Sequence, residues 1–255
     1  MKLHYKQQGT GYPVLLIHGL FGSLSNLGIL AKHLLENDYQ VISVDALNHG
    51  FSPRSESMNY QTQANSIKDL CDQLAIEQCA IVGHSMGGKV AMATAQLYPD
   101  LVSAIVVADI APVAYQHNHQ AVFSGLNSFD VATVTSRSEA DQLLAHYINE
   151  PSVRQFLLKS LIKAENGWTW LFDVQRLSRC YHNIIDWEPL GVFNQPCLFI
   201  KGQNSDYIVS QQQLSTVQQF PKAELKVITA TGHWLHAEKP ATFNRLTERF
   251  LGTHI

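Results

Sequence analysis

Short apolar runs of strand length alternate with longer amphipathic runs over most of this chain, and that alternation constrains the fold more than any other feature. Such an order belongs to βαβ units around a mostly parallel sheet. The strand runs are Leu3 to Gln7, Val14 to Ile17, Gln40 to Asp45, Cys79 to Gly83, Ser103 to Asp109, Pro196 to Lys201 and Glu224 to Ile228. Helical spacing covers Asn26 to Asn37, Thr62 to Leu74, Ser85 to Leu97, Ser210 to Gln219 and Ala241 to Leu251, each ending near a Pro, Gly, Asn or acidic break. With 255 residues, 45% of them hydrophobic and 15% charged, the chain can bury one large core and carry a small accessory unit. The expected class is α/β, a central sheet flanked by helices.

The alternation breaks once. From Ala111 to about Pro189 helix-like stretches follow one another without a buried parallel strand. They include Ser138 to Asn149, with Ala140, Leu143, Leu144 and Tyr147 at helical spacing, and Pro151 to Ala164, with proline near the first helical position. An insertion that leaves the sheet after one strand and returns before another lies over the C-terminal sheet edge, where α/β proteins bind ligands. The expected organisation is a core of residues 1–110 and 190–255 with a helical cap, or lid, over residues 111–189. Phe123, Trp168, Trp170, Phe172 and Trp187 are its candidates for lining an apolar pocket.

Gly83-His84-Ser85-Met86-Gly87 joins a buried strand to a helix rich in small residues. A serine on so sharp a turn has a strained backbone, and glycines on either side let strand and helix approach while Oγ stands clear. Ser85 is therefore the candidate nucleophile. Free N–H groups at the following helix start suit a developing oxyanion, with Met86 N–H as one donor. The second donor should come from a loop after an early strand, and Leu20 in His18-Gly19-Leu20-Phe21-Gly22 fits best. A hydroxyl nucleophile needs a base, and His233, in the loop after the last strand, meets that need. His18 is expected to order backbone, and His236 to open the last helix. Two carboxylates compete as the acid that orients the imidazole: Asp109, ending the strand one beyond the nucleophile, and Asp206, after a later strand. The later loop is the usual location in such arrangements, three residues after the strand-ending glycine, but that position is Ser205. Asp206 is displaced by one, which favours Asp109.

The net charge of −3 and the lack of a dense Lys/Arg run remove the electrostatic footprint of nucleic-acid and anionic-membrane binders, so a small-molecule substrate is expected. The N-terminal Met1 to Gln8 has no apolar h-region and no stretch is long and apolar enough to span a bilayer, so a cytoplasmic protein is expected. Cys71, Cys79, Cys180 and Cys197 show no C-x-x-C spacing, and the twelve histidines form no helical metal motif. Neither metal nor cofactor is called for, and oligomeric state stays open.

As a set, His18-Gly19-Leu20-Phe21-Gly22-Ser23, Asn48-His49-Gly50-Phe51-Ser52-Pro53, Gly83 to Lys89, Asp109-Ile110-Ala111-Pro112 and Gly232 to Glu238 resemble the YbfF-type bacterial esterases of the α/β-hydrolase superfamily. The match spans both halves of the core and is vague through the insertion. The resemblance implies an α/β-hydrolase fold with a helical cap that cleaves acyl esters, with acyl-CoA thioesters as a further class. It also implies that Asp109 is the acid. The family's loop before Asn-His-Gly usually carries an arginine, whereas this chain has Ala46-Leu47-Asn48, a departure that weighs against acidic or CoA-type substrates. On the same set of side chains a C–C bond hydrolase, a haloperoxidase-like enzyme, or a non-catalytic ligand-binding protein are the alternatives.

Overall fold

Val14 to Ile17 and Cys79 to His84 are buried at every position, so their strands must have helices on both faces. In the computed structural model, which describes residues 2–116, 119–165 and 167–255, the first half of the chain does this. It runs β1 (Tyr5–Gln8), β2 (Pro13–Ile17), α1 (Gly28–Leu35), β3 (Gln40–Val44), α2 (Tyr60–Gln73), β4 (Cys79–His84), α3 (Met86–Leu97) and β5 (Val102–Ala108). The span between β5 and the next sheet strand holds α4 (Gln120–Asn127), α5 (Arg137–Ala145), α6 (Pro151–Leu158), β6 (Leu161–Ala164), β7 (Gly167–Trp170), α7 (Val174–Arg179) and α8 (Tyr181–Ile185). The chain then completes the sheet with β8 (Cys197–Gly202), α9 (Gln213–Gln219), β9 (Ala223–Ile228), α10 (Leu235–Glu238) and α11 (Pro240–His254). His117, Asn118 and Asn166, inside the inserted span, lie outside the described residues.

The central sheet has the order β1-β3-β2-β4-β5-β8-β9, parallel except for β1, which pairs antiparallel with β3. The fold is that of an α/β hydrolase. Side chains alternate between two cores. Leu15, Ile17, Ile81, Ile105 and Val107 face one way, with α2 and α3. Leu16, Val82 and Val106 face the other, with Leu30 and Leu34 of α1 and Phe243, Phe250 and Leu251 of α11. Each fully buried Leu or Ile contributes roughly 1.5–3 kcal/mol relative to exposure.

Two spans differ from the sequence expectation. The helix expected over Pro151 to Ala164 ends at Leu158, and Leu161–Ala164 pairs antiparallel with Gly167–Trp170. Ile162 stands opposite Thr169, a β-branched pair, and Lys163 opposite Trp168, cross-strand contacts that favour the antiparallel pair over a continued helix. The helix expected over Ser138 to Asn149 starts one residue earlier, because the Ser136 hydroxyl accepts the Glu139 N–H at 3.1 Å, and it ends at Ala145.

Candidate active site

Ser85 stands between β4 and α3 with φ 53° and ψ −120°, a region that side-chain-bearing residues avoid. The turn closes because its flanks have no Cβ. A Cβ on Gly83 would lie 2.1 Å from the Gly87 carbonyl oxygen, and one on Gly87 would lie 2.2 Å from that of Ile17. The Ser85 N–H donates to the Ala108 carbonyl at 2.9 Å, which ties the turn to the end of the neighbouring strand.

That neighbouring strand and the loop after β9 deliver the partners. His233 Nε2 lies 3.0 Å from Ser85 Oγ and its Nδ1 lies 2.7 Å from Asp109 Oδ2. Asp109 is fully buried, just past β5, with φ 55°. Its carboxylate accepts three donors: the imidazole N–H, the Gly202 N–H at 2.9 Å and the Ser205 hydroxyl. With Nδ1–H committed to the carboxylate, the Nε2 lone pair faces the serine hydroxyl. Asp206, the competing carboxylate, is exposed, and Ser205 beside it turns its hydroxyl to Asp109. The two sheet-edge loops thus meet at one carboxylate.

Further residues brace the arrangement, and sequence reasoning did not find them. The Tyr207 ring stacks on His233 with centroids 3.9 Å apart. His84 donates its Nε2–H to the His233 carbonyl at 2.8 Å. Burial holds the His84 imidazole well below its ordinary range, and pushes His236, packed against it, down to about 4. Both rings beside His233 are thereby biased towards the neutral form.

Leu20 and Met86 border the same cavity as Ser85, and among the described residues neither N–H is engaged by another protein group. The loop carrying Leu20 is held by two buried histidines. His18 Nδ1–H donates to the Gly19 carbonyl at 2.7 Å, and its Nε2 accepts the Ala46 N–H at 3.1 Å. His49 Nδ1–H donates to the Leu47 carbonyl at 2.8 Å, and its Nε2 accepts the Phe21 N–H at 3.0 Å. Burial lowers the basicity of both, with His49 held well below the ordinary imidazole range, so each Nε2 remains an acceptor.

The cavity over Ser85 has a volume of about 270 Å³ and predominantly apolar walls. Leu20 and Ile110 form one side and the inserted span the other, through Val122, Val153, Phe156, Leu157, Ile184 and Ile185. The five aromatics expected to line it do not border it; they are packing residues. Phe123 and Phe172 pack on Phe21, Trp170 stacks on Phe172, and Trp187 packs on Tyr60 while its Nε1–H donates to Gln219 at 2.8 Å. Trp168 lies beneath the Arg137 and Lys163 cations. Phe123, Trp170 and Phe172 go to the core of the inserted span, where burial removes their apolar surface from water, whereas Tyr115, Phe156 and Tyr181 of the same span border the cavity.

Lys89, one turn beyond Ser85, is 1% exposed and is the only lysine or arginine among the described residues that border the cavity. Its Nζ donates to the carbonyls of Ile185 at 3.0 Å and Asp186 at 2.9 Å and lies over the rings of Tyr60 and Tyr115. Burial lowers its pKa to about 7, with the nearby Asp186 opposing that shift. An unfolded chain holds this proton above pH 7 while the folded chain releases it, so the contribution of Lys89 to stability rises with pH from about 7 towards the ordinary lysine value. Relative to Lys89→Met, the parent should gain on the order of 2 kcal/mol between about pH 7 and pH 9, read from urea unfolding at both pH values. Leu47, where the arginine of similar esterases would stand, is 1% exposed and packed in the core.

Comparison with known proteins identifies the family. Residues 12–240 match the alpha/beta hydrolase fold family. The chain is 41% identical over 247 residues to Esterase YbfF of Escherichia coli (strain K12), covering 96% of this chain and 95% of that protein. It is 36% identical over 244 residues to the sn-1-specific diacylglycerol lipase ABHD11 of Danio rerio, covering 92% of this chain and 77% of that one. Among solved structures, a marine microorganism esterase superposes with a TM-score of 0.93 at 34% identity, over 98% of this chain and 99% of that one. The chain therefore belongs to the α/β-hydrolase family, among its YbfF-type esterases, and is an ester-hydrolysing hydrolase.

Proposed function

We propose that the protein is a serine carboxylesterase in which Ser85, His233 and Asp109 act as nucleophile, base and orienting acid through an acyl-enzyme. The observation that carries this reading is the continuous hydrogen-bond path from Ser85 Oγ through His233 to buried Asp109, opening into an apolar cavity. His233 Nε2 takes the hydroxyl proton as Oγ attacks the ester carbonyl carbon, and the N–H groups of Leu20 and Met86 receive the oxyanion. The imidazolium, held by Asp109, returns the proton to the departing alcohol. Water, deprotonated by the same imidazole, then cleaves the acyl-enzyme and frees the carboxylic acid.

The inserted span 111–189 acts as the cap over this site and determines the acyl group. Ligand pockets run from roughly 300 to 1,000 Å³, so a cavity of about 270 Å³ favours short acyl chains. Lys89 is engaged by two carbonyls, and Leu47 is apolar, so the acyl portion is uncharged. These features favour simple oxygen esters over CoA thioesters. A series of p-nitrophenyl esters of increasing acyl length tests this: kcat/KM should peak at short chains and fall as the chain outgrows the cavity. A profile that rises steadily to long chains, or no turnover of any member, would contradict it.

His49→Ala removes the acceptor that holds the Phe21 N–H, loosening the loop that presents Leu20. Complete loss of an oxyanion donor costs about a hundredfold to a thousandfold in kcat, so kcat should fall about tenfold to a hundredfold with KM little changed. A rise in KM with kcat unchanged would assign His49 to substrate binding instead.

A further inference from the structure

The two edges of the sheet are protected differently. β1 presents Tyr-Lys-Gln-Gln, a short polar run that discourages pairing. β9, at the other edge, has Leu225 54% exposed and Val227 49% exposed, and Leu214 and Val217 of α9 are exposed nearby. A long groove of about 520 Å³ runs between β9 and α9. The free edge has a definite hydrogen-bonding phase. The Gln203 N–H donates to the Ile228 carbonyl at 3.0 Å, so the peptide groups of Ile228, and by alternation those of Lys226 and Glu224, point to β8. Those of Ala223, Leu225 and Val227 therefore point outwards. Ala223 N–H already donates to the Phe220 carbonyl at 3.0 Å, which leaves its carbonyl and both groups of Leu225 and Val227 for another strand.

The sequence of this edge is complementary to itself. In an antiparallel pair with the same strand of a second copy, centred on Leu225, Glu224 of each copy stands opposite Lys226 of the other. Leu225 stands opposite Leu225, and Val227 opposite Ala223. The outward phase makes the Leu225 pair a hydrogen-bonded one, and the Glu224–Lys226 positions fall on non-hydrogen-bonded pairs, where side chains approach closest. Within one chain these two side chains already share a face, with Lys226 Nζ 3.7 Å from Glu224 Oε2. Moving the axis by one residue, to Glu224 or Lys226, would keep outward groups paired but set Glu224 opposite Glu224 or Lys226 opposite Lys226, like charges that disfavour those registers.

We propose that β9 pairs antiparallel with β9 of a second copy about a twofold axis at Leu225, joining two sheets into one. The interface is isologous, as a twofold requires. Leu225 exchanges both hydrogen bonds with Leu225 of the second copy, and the Val227 N–H reaches the Ala223 carbonyl of the second copy.

Sedimentation velocity over a range of concentrations tests this on the full chain. The parent should sediment with twice the chain mass at high concentration. Leu225→Pro removes a donor that points out of the molecule, where proline is tolerated on an edge strand, and should sediment as a monomer with its folded circular dichroism intact. Lys226→Glu sets two glutamates opposite each other at both symmetry-related positions and should weaken the dimer by about tenfold or more. Combining it with Glu224→Lys restores opposite charges and should restore the parent's dissociation constant. A parent that is monomeric at every concentration overturns the proposal. So does a dimer that is indifferent to Leu225→Pro, or a charge swap that fails to restore what Lys226→Glu removes, since pairing would then use another surface.

Discussion

Asp109→Asn should lower kcat by about ten-thousandfold, the cost of a wrong imidazole tautomer in a serine hydrolase, while Asp206→Asn leaves turnover at the parent's level. The cause can be followed atom by atom. The amide introduced by Asp109→Asn would keep its oxygen for the Gly202 N–H, which donates to Asp109 Oδ1 at 2.9 Å, and would turn its N–H₂ towards the Ser205 hydroxyl and His233 Nδ1. The imidazole would then hold its proton on Nε2, facing Ser85, and could not accept another. Unfolding curves should show both variants folded, so that the difference is catalytic. The meeting of two loops at one carboxylate adds a sharper test. Ser205 occupies the alternative position and already touches Asp109 Oδ2. Placing an acid there, as Ser205→Asp in an Asp109→Ser background, should recover turnover over Asp109→Ser alone. If Asp206→Asn abolishes activity and Asp109→Asn does not, the assignment of the acid is wrong.

Ser85→Gly should eliminate turnover, by a factor on the order of a million, and at the same time stabilise the fold. The stability gain follows from the backbone. Ser85 has φ 53° and ψ −120°, a conformation that costs roughly 1–3 kcal/mol for a residue with a Cβ and little for glycine. Glycine gives back about 0.5–1 kcal/mol through the entropy of the unfolded chain, so a net gain of about 1 kcal/mol remains. Ser85→Ala should lose activity equally and gain nothing from the backbone. Urea unfolding of the two variants separates strain from side-chain loss. A Ser85→Gly protein less stable than Ser85→Ala would mean that the turn stores no strain.

The elbow is legible in sequence because its spacing has a mechanical meaning: a Cβ on Gly83 or Gly87 would stand 2.1 or 2.2 Å from a carbonyl oxygen. The parallel sheet is legible too, since Val14 to Ile17 and Cys79 to Val82 are apolar and buried at every position. What is not legible depends on contacts between distant parts of the chain. His84 reaches the carbonyl of His233, His49 reaches the amide of Phe21, and Ser205 reaches Asp109; no local window contains both partners. The paired strands Leu161–Ala164 and Gly167–Trp170 escape for a local reason, since the first carries a pattern too short to tell from the end of a helix. The aromatics of the inserted span mislead for a different reason. Phe123, Trp170 and Phe172 form a core of their own against Phe21, and the cavity is faced instead by Val122, Val153 and Leu157 together with Tyr115, Phe156 and Tyr181.

Ser85 is the residue expected to carry the covalent intermediate. Incubation with a fluorophosphonate, followed by mass spectrometry of the intact chain and of its peptides, measures this directly. One adduct per chain is expected, located on the peptide that contains Ser85, slowed by Asp109→Asn and absent from Ser85→Ala. An unmodified parent, or an adduct on any other residue, would contradict it.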